Sequence, residues 1–323
     1  MGSNIAQTPV LLENAPCPMG CADAGDQFVL VGRDRLHGLP GEFTVVRCSV
    51  CGLLRTNPRP TLETSGYFYP RDYAPYHKPA GKKLTLRDHI AARAHRLLNA
   101  WRIPDLPPGR LLEFGCGPGG YLLWAADQGW SVAGIEPSRE AAQTARSLGF
   151  RVHVGPLEAA PDPEVPYDLS VGWMVVEHLH NPLKALRNLC SWTRSDGWLA
   201  ISMPNAASKE FSFFRDSWFA LELPRHLYHF TPATITSLLK KAGWQVREIY
   251  QQRNLDNIIA SCGYLLENLS NSRILRILSR RLVRFPTNVP LHFLTYPFLF
   301  PVGCILATLG QSGRMTVLAQ KTE

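Results

Sequence analysis

The sequence predicts an α/β protein built around a doubly wound, mainly parallel sheet, with a small cysteine-containing module before it. Three observations predict this fold. Apolar segments of strand length alternate with helical segments through the middle of the chain, which is typical of successive βα units. One apolar segment, 110–114, runs into a glycine-rich turn that opens a helix. The next apolar segment ends on Glu136, so a ligand site is expected at the carboxyl ends of the strands.

The alternation begins after a helix predicted at 86–101. The segments that follow are strand 110–114, helix 119–128, strand 131–135, helix 139–147, strand 168–172, helix 182–194, strand 198–203, helix 233–242, strand 244–250 and a closing strand 314–321. An interruption, 252–313, precedes the closing strand. It opens with a helical stretch, 255–284, and continues with an apolar segment, 289–309, that prolines are expected to break.

Composition sets the broad class of protein. The chain has 323 residues, of which 45% are hydrophobic and 19% charged, so it has ample material for a buried core and does not resemble a disordered or collagen-like sequence. The net charge of +8 favours anionic partners such as nucleic acid, acidic lipid or phosphorylated small molecules. Residues 1–16 show no secretory leader, so we expect a cytoplasmic protein with reduced thiols.

The glycine turn and Glu136 together predict a nucleoside-containing ligand. Gly115 and Gly117 let the backbone approach a ligand closely. Glu136 lies 19 residues after Gly117, where an acid accepts hydrogen bonds from ribose hydroxyls. Tyr121 stands where a dinucleotide-binding loop usually has its last glycine, which disfavours a dehydrogenase. The alternative is a structural turn followed by a solvated glutamate.

Four segments resemble one enzyme family. Glu113–Gly119 (EFGCGPG) resembles motif I of class I S-adenosylmethionine methyltransferases, and Gly134–Ser138 resembles their ribose-binding strand end. Tyr167–Leu169 and Met174–Leu179 resemble their fourth strand and the loop after it. The resemblance covers about 86–250 and implies a Rossmann-like, seven-stranded sheet, S-adenosylmethionine as the cofactor, and methyl transfer as the reaction.

The resemblance also implies which residues contact the cofactor. Glu113 would face the methionine amino group, Glu136 the ribose, and Leu157 the adenine. Trp173 and Met174 would flank the methionine portion, although both fit equally well as plain core residues. The full set of expected cofactor-binding residues is Glu113, Gly115, Cys116, Gly117, Glu136, Pro137, Leu157, Trp173 and Met174.

Four of the eight cysteines form two close pairs near the start of the chain. Cys17 and Cys21 are separated by three residues, and Cys48 and Cys51 by two. Four thiolates suit a tetrahedral structural zinc ion, and such pairs are typical of a zinc-ribbon-like module. The alternative is a small β module with free thiols. The other cysteines are expected to be inert.

The segment 34–43 adds a second resemblance, to the N-terminal zinc module of bacterial methyltransferases that act in natural-product and cell-surface sugar pathways. The predicted organisation is therefore a zinc-binding module at 1–60, an aromatic linker or lid at 61–85, and a methyltransferase domain at 86–323 that carries the insertion 252–313. Tyr73 and Tyr76 of the lid could reach the active site, although surface packing is the simpler explanation of both.

Two segments carry candidate catalytic groups. Glu177 and His178 follow the fourth strand, and His226 lies ahead of the helix predicted at 233–242. Removing a proton from a hydroxyl or enol acceptor requires a base near the cofactor methyl, and His226 is the first choice, with His178 second. A structural role for each histidine is the alternative. Arg225 directly precedes His226 in the sequence, so it is a candidate to bind an anionic group such as a diphosphate.

The insertion adds a question about membranes. Arg273–Arg284 mixes basic and apolar residues at helical spacing, as interfacial helices do. The apolar segment 289–309 is just long enough to span a bilayer, but its prolines argue against a regular spanning helix. A helical cap that shapes the acceptor pocket is the favoured interpretation. Peripheral contact with the inner membrane surface through 270–310 remains the alternative.

The predicted function is methylation, at carbon or oxygen, of a small-molecule acceptor such as a nucleotide- or lipid-linked sugar or a natural-product intermediate. An RNA methyltransferase is one alternative. It is disfavoured because the cysteine module has no dense stripe of Lys and Arg interleaved with aromatic residues. A non-catalytic, zinc-containing cofactor-binding protein is another. Fold alone does not select the acceptor.

Overall fold

The computed structural model describes residues 10–22, 25–70, 73, 84–269, 272–285 and 289–322. The strands in these residues are, in chain order, β1 (Leu12–Glu13), β2 (Asp26–Arg33), β3 (Glu42–Cys48), β4 (Leu54–Thr56), β5 (Arg59–Pro60), β6 (Arg110–Phe114), β7 (Ser131–Glu136), β8 (Arg151–Val154), β9 (Tyr167–Trp173), β10 (Thr193–Pro204), β11 (Tyr228–His229), β12 (Trp244–Gln251) and β13 (Arg314–Lys321).

Several helices begin after a residue whose side chain caps the helix N-terminus. Thr85 and Thr231 form capping boxes, and the side chains of Ser138 and Asn181 accept hydrogen bonds from the first turn of their helices. The α-helices are α1 (Leu62–Ser65), α2 (Leu86–Leu97), α3 (Gly120–Asp127), α4 (Arg139–Ser147), α5 (Pro182–Trp192), α6 (Lys209–Phe214), α7 (Pro232–Lys241), α8 (Asp256–Leu269), α9 (Arg273–Val283) and α10 (Val289–Thr308).

The main sheet has seven strands in the order β12-β13-β10-β9-β6-β7-β8. Only β13 runs antiparallel to its neighbours in this sheet. The strand order reverses between β6 and β9, and open α/β sheets bind ligands at the carboxyl ends of the strands at such a reversal. The predicted fold class is confirmed, and the reversal places the segments after β6 and β9 side by side.

Several elements differ from the prediction. The helix expected at 86–101 ends at Leu97, and the helical stretch expected at 255–284 is two helices, α8 and α9. Strand β10 begins at Thr193 instead of 198, because Thr193 already pairs with Tyr167 and an irregularity separates it from the regular pairing at Trp198. The apolar segment expected to be broken by prolines is one helix, α10, with Pro297 and Pro301 inside it. These prolines are spaced by one turn and both are exposed, so the missing N–H donors fall on one solvent-facing side.

The segments of the insertion pack against one another through close backbone approaches. A Cβ on Gly263 of α8 would come within 2.8 Å of the Ser279 carbonyl oxygen in α9, and one on Gly303 of α10 within 2.7 Å of the Arg253 carbonyl oxygen. These glycines allow the helices to lie tightly on their neighbours. Among the described residues, no helix combines the length and the apolar character needed to cross a bilayer.

A second, four-stranded sheet joins the cysteine module to the catalytic part of the chain. Its order is β11-β4-β3-β2, and β11 comes from the segment after β10, far along the chain from the other three strands. The apolar core beneath it is shared in the same way. It contains the module residues Leu30, Phe43, Val45 and Leu54, the lid residue Phe68, and the catalytic-domain residues Phe211, Phe214, Trp218, Leu221 and Leu223.

A buried ion pair also joins the two parts. Arg225 Nη2 donates to Asp34 Oδ1 at 2.7 Å, and both side chains have no exposed surface. The backbone amides of Leu36 and His37 also donate to Asp34, and Arg225 donates in addition to the carbonyl of Phe68. Burial alone would raise the pKa of Asp34, but the hydrogen bond and charge of Arg225 hold that pKa below its usual value.

We expect Asp34→Asn to lower the free energy of unfolding by about 3 kcal/mol, because it leaves the Arg225 guanidinium buried without its counter-ion. The depressed pKa of Asp34 stabilises the fold above about pH 4, where the unfolded chain is also ionised, and this contribution is lost as the pH falls through the lower folded value. The difference in unfolding free energy between wild type and variant, measured by urea unfolding, should therefore become smaller below pH 4.

Asp216→Asn is the matched control. Asp216 pairs with Arg35 across the same boundary at 2.9 Å, but its side chain is 45% exposed, so its loss should lower stability by less than about 1 kcal/mol. Equal destabilisation by the two variants would contradict the importance given to the buried pair.

Candidate active site

The turn between β6 and α3 is held open by left-handed glycines. Gly115, Gly117 and Gly119 have φ values of 68°, 52° and 88°, a region that favours glycine strongly. Gly115 also has no room for a side chain, since a Cβ there would meet the Val175 side chain at 2.5 Å. The result is a tight backbone loop at the reversal point of the sheet, which a ligand can approach closely.

Glu136, at the end of β7, braces this loop. Its Oε2 accepts from the Gly117 amide and its Oε1 from the Ser138 amide, both at 2.8 Å. Burial raises the pKa of Glu136, while these two amides lower it. The Cys116 side chain packs against β7, where its sulfur would be 2.6 Å from a Cβ on Gly134, and Pro137 is exposed. Each carboxylate oxygen retains a lone pair that a ribose hydroxyl could use.

Three buried polar atoms near the loop have no hydrogen-bond partner among the described residues: Glu113 Oε2, Tyr121 Oη and Trp173 Nε1. The Tyr121 and Trp173 rings are in contact, with centroids 5.2 Å apart. Burial and the charge of Glu136 raise the pKa of Glu113 well above its usual value. Because unpartnered buried polar groups are unfavourable, this site fits a ligand that carries an ammonium group and hydrogen-bonding oxygens, as the methionine portion of S-adenosylmethionine does.

Two other residues predicted to bind the cofactor have clear structural positions. Met174 directly follows β9 and adopts a left-handed φ of 59°, a strained conformation that is enriched at functional sites. Leu157 is buried in the apolar core with Leu112, Phe114 and Ile135. Contact of either residue with a cofactor stays a prediction.

The predicted catalytic residues come together next to this edge of the sheet. Glu177, His178 and His226 each offer a ligand-type atom within 4.8 Å of the others, and the two imidazole rings are 4.6 Å apart. His226 Nδ1 lies 2.9 Å from the Ala220 carbonyl oxygen. Burial, followed by the neighbouring charges of His178 and His229, lowers the pKa of His226 well below its usual value, so its ring is neutral at physiological pH.

Arg225 differs from what the sequence suggested, and the lid residue Tyr73 shares one of its partners, Glu222. The Arg225 guanidinium is buried and already bonded to Asp34, Glu222 and Phe68, so it holds the protein together and cannot turn to a diphosphate. Tyr73 donates to Glu222 Oε1 at 3.3 Å, and Tyr76 lies outside the described residues. Tyr69, which the sequence did not single out, places its hydroxyl 3.0 Å from His178 Nδ1.

Comparison with known proteins assigns the family. A model of the methyltransferase domain matches residues 85–249, just over half of the 323-residue chain. The chain belongs to the methyltransferase family. This confirms the resemblance of the glycine loop, the ribose-binding strand end and the segment after the fourth strand to class I S-adenosylmethionine-dependent enzymes.

Curated relatives of this methyltransferase bear the name "probable S-adenosylmethionine-dependent methyltransferase". One, from Mycolicibacterium smegmatis, is 29% identical over 43% of this chain and 52% of its own length. Another, from Mycobacterium tuberculosis, is 29% identical over 47% of this chain and 54% of its own length. The chain thus spans about half the length of the curated relatives it matches. A solved methyltransferase structure from Mesorhizobium loti shows 15% identity and a TM-score of 0.46, over 71% of this chain and 96% of that one.

The methyltransferase also has a four-sulfur cluster in its module. Cys17, Cys21, Cys48 and Cys51 place their sulfurs within 4.8 Å of one another, and the Cys17 and Cys51 sulfurs are 3.5 Å apart. Two sulfurs on one zinc ion are about 3.8 Å apart. Burial would raise the pKa of the Cys48 thiol, but hydrogen bonds from the backbone of Cys51 and Val50 hold it at about 7, which favours its thiolate. Burial raises the pKa of the Cys17 and Cys21 thiols. The cluster fits a structural zinc ion.

A cavity of about 770 Å³ lies elsewhere, and it extends from the starting ends of β6 and β9 along most of β7 and β8. None of the predicted cofactor-binding residues lines it. Ligands of open α/β sheets bind at the carboxyl ends of the strands where the strand order reverses, so we assign the cofactor to the glycine loop and not to this cavity.

Glu113→Gln and Glu136→Gln should each weaken binding of S-adenosylmethionine about tenfold to a hundredfold in isothermal titration, because each removes a charged hydrogen-bond acceptor from a buried site. Wild-type binding is expected in the micromolar range, on the order of −8 kcal/mol. Glu140→Gln, on the exposed face of α4, is the control and should bind as wild type does. Unchanged binding by Glu113→Gln would contradict the assigned contact between Glu113 and the amino group of the cofactor.

Purified protein should contain about one zinc ion per chain that Cys51→Ser loses, with a fall in unfolding free energy of at least about 3 kcal/mol. Metal content is measured by mass spectrometry and stability by urea unfolding. Cys304→Ser, in α10 and outside the cluster, should keep both properties. Metal-free wild-type protein of full stability, prepared in zinc-supplemented medium, would show that the cluster is a set of free thiols.

Proposed function

We propose that this chain transfers a methyl group from S-adenosylmethionine to an oxygen or carbon of a small-molecule acceptor, and that the acceptor is a nucleotide- or lipid-linked sugar or a related natural-product intermediate. The observation that supports it best is the meeting of two sites at one sheet edge. The unpartnered polar atoms of Glu113, Tyr121 and Trp173 suit the cofactor. The neutral imidazole of His178 follows the neighbouring strand β9, and that of His226 lies against it, with ring centroids 4.6 Å apart.

In this proposal the glycine loop and Glu136 hold the nucleoside, and Glu113 holds the methionine amino group, so that the methyl-bearing sulfonium is fixed in position. Bound S-adenosylmethionine supplies an electrophilic methyl group. His226 acts on the acceptor. Its Nδ1 proton is committed to the Ala220 carbonyl, which leaves the Nε2 lone pair to take the proton that an acceptor hydroxyl loses as it attacks the methyl carbon. The lowered pKa keeps that lone pair available at neutral pH.

A lipid-linked acceptor is supported by the surface of the insertion. Exposed apolar side chains form a stripe along and just beyond α10, and they are Phe298, Val302, Ile305 and Leu309. On α9, Ile274, Ile277 and Leu278 are also exposed, among the exposed arginines Arg273, Arg276, Arg280 and Arg281. Apolar and basic side chains together suit the surface of an anionic membrane. We include peripheral membrane contact in the proposal, and we leave nucleic acid out because apolar side chains interrupt the basic face.

Incubation with methyl-labelled S-adenosylmethionine and separate bacterial pools of polar lipid, nucleotide sugars and RNA tests the proposal. Label should enter the lipid or the nucleotide-sugar pool. For a lipid acceptor, Phe298→Ser should lower incorporation several-fold without changing cofactor binding, because it removes an apolar membrane contact. Phe213→Ser is the control, since Phe213 on α6 is comparably exposed, at 73% against 81%. Label confined to RNA would favour the nucleic-acid alternative, and cofactor binding without label in any pool would favour a non-catalytic protein.

A further inference from the structure

The histidine–glutamate cluster beside the cofactor site has the composition of a metal-binding site. Glu177 and His178 lie in a single helical turn after β9, and His226 lies in the loop before β11. One carboxylate oxygen and one ring nitrogen from each histidine lie within 4.8 Å of one another. Small side-chain movements would let all three share one ion, since metal–ligand distances for these atom types are about 2.0–2.2 Å.

Both histidines are held in the orientation that metal ligands use. His226 Nδ1 lies 2.9 Å from the Ala220 carbonyl oxygen, and His178 Nδ1 lies 3.1 Å from the Arg225 carbonyl oxygen. A carbonyl oxygen only accepts, so each Nδ1 that bonds to one carries the hydrogen and its Nε2 presents a lone pair. The Tyr69 hydroxyl, 3.0 Å from His178 Nδ1, is then a second acceptor of that hydrogen. Metal-binding histidines are commonly fixed in this way, by donation of the other ring N–H to a backbone carbonyl.

Glu177 provides independent evidence that the cluster binds a ligand. Its side chain is fully buried, and neither carboxylate oxygen has a hydrogen-bond partner among the described residues. A buried carboxylate without any partner is strongly unfavourable. A cation bound between Glu177 and the two imidazoles would satisfy it.

A second carboxylate borders the cluster. Glu222 Oε2 lies 3.6 Å from His226 Nε2, while Arg225 Nε donates to Glu222 Oε1 at 3.0 Å. The charge of Arg225 is balanced by Asp34. The carboxylates of Glu177 and Glu222 therefore leave two negative charges in the cluster, which one divalent ion would neutralise.

From this arrangement we infer that Glu177, His178 and His226, with Glu222 at the border, bind one divalent transition-metal ion, distinct from the ion of the cysteine cluster. Two imidazoles and carboxylates suit Fe²⁺, Co²⁺, Ni²⁺ or Zn²⁺ better than Mg²⁺ or Ca²⁺, which prefer oxygen ligands alone. Cation binding stands independently of methyl transfer.

The part of the inference that concerns the acceptor rests on the proposed function. A coordinated Nε2 cannot accept a proton, so in the loaded protein His226 would be a ligand and not the base. The ion would then hold the acceptor oxygen and lower the pKa of its hydroxyl, which would release its proton to solvent as the oxygen attacks the methyl carbon. An acceptor with an exposed hydroxyl or phosphate oxygen, such as a sugar, fits this role.

The inference is tested by titrating the zinc-loaded protein with Co²⁺. Calorimetry measures the binding, and visible absorption reports the type of ligand atom. Wild type should bind one Co²⁺ per chain with weak absorption bands typical of nitrogen and oxygen ligands, without the intense bands of thiolate-bound cobalt. Glu177→Gln and His226→Asn should weaken this binding at least tenfold. His180→Gln is the control, because His180 lies near the cluster but outside it and bonds to the Pro60 carbonyl.

Three results would overturn the inference: no Co²⁺ bound beyond the zinc, absorption that shows thiolate ligands, or equal binding by wild type and by a folded Glu177→Gln variant. Retention of zinc in the cysteine cluster reports that each variant is folded. S-adenosylmethionine binding is measured in the same samples with and without a chelator. Loss of cation binding with intact cofactor binding thus separates failure of the metal site from failure of the proposed function.

Discussion

The ion pair between Asp34 and Arg225 is the contact on which the arrangement of the active site depends. Both side chains are fully buried, so the charges can neither separate nor lose one partner without a large penalty. Arg225 is also the residue before His226, and its backbone carbonyl holds His178. The module therefore positions the segment that carries the histidines. Thr56 reinforces this, since its hydroxyl donates to the His226 carbonyl at 2.8 Å.

The cofactor site is built differently, because one of its buried acidic groups lacks a partner in the protein. Glu136 is braced by two amides, but Glu113 keeps one oxygen without a partner in a buried position close enough for the charge of Glu136 to raise its pKa. Two acidic groups so placed repel each other until a cation arrives. S-adenosylmethionine carries positive charge at its sulfonium and at its ammonium group, so the same electrostatics that destabilise the free site favour the cofactor.

The sequence predicted the parts of the fold that rest on local signals. Apolar strands, the glycines of the loop and the acid after β7 are short-range patterns, and the sheet and the family follow from them. The start of β10 was missed because Arg194, Ser195 and Asp196 are polar, and Asp196 takes a left-handed φ of 62°. Partners far apart in the chain leave no local signal. Asp34 and Arg225 are separated by 191 positions, and the sequence alone suggested a ligand-binding role for Arg225.

The shared sheet also bears on how such a protein can change over evolutionary time. Strand β11 supplies the edge of the module's sheet, and the module's apolar core is completed by residues 211–223. A recombination event that removed the first 60 residues without replacing their contacts would leave Arg225 buried without its ion-pair partner Asp34. It would also leave β11 without the strand it pairs with. Modules of this kind can be exchanged between relatives only together with the 211–229 segment, so the two pieces are expected to be inherited as one unit although 150 residues separate them.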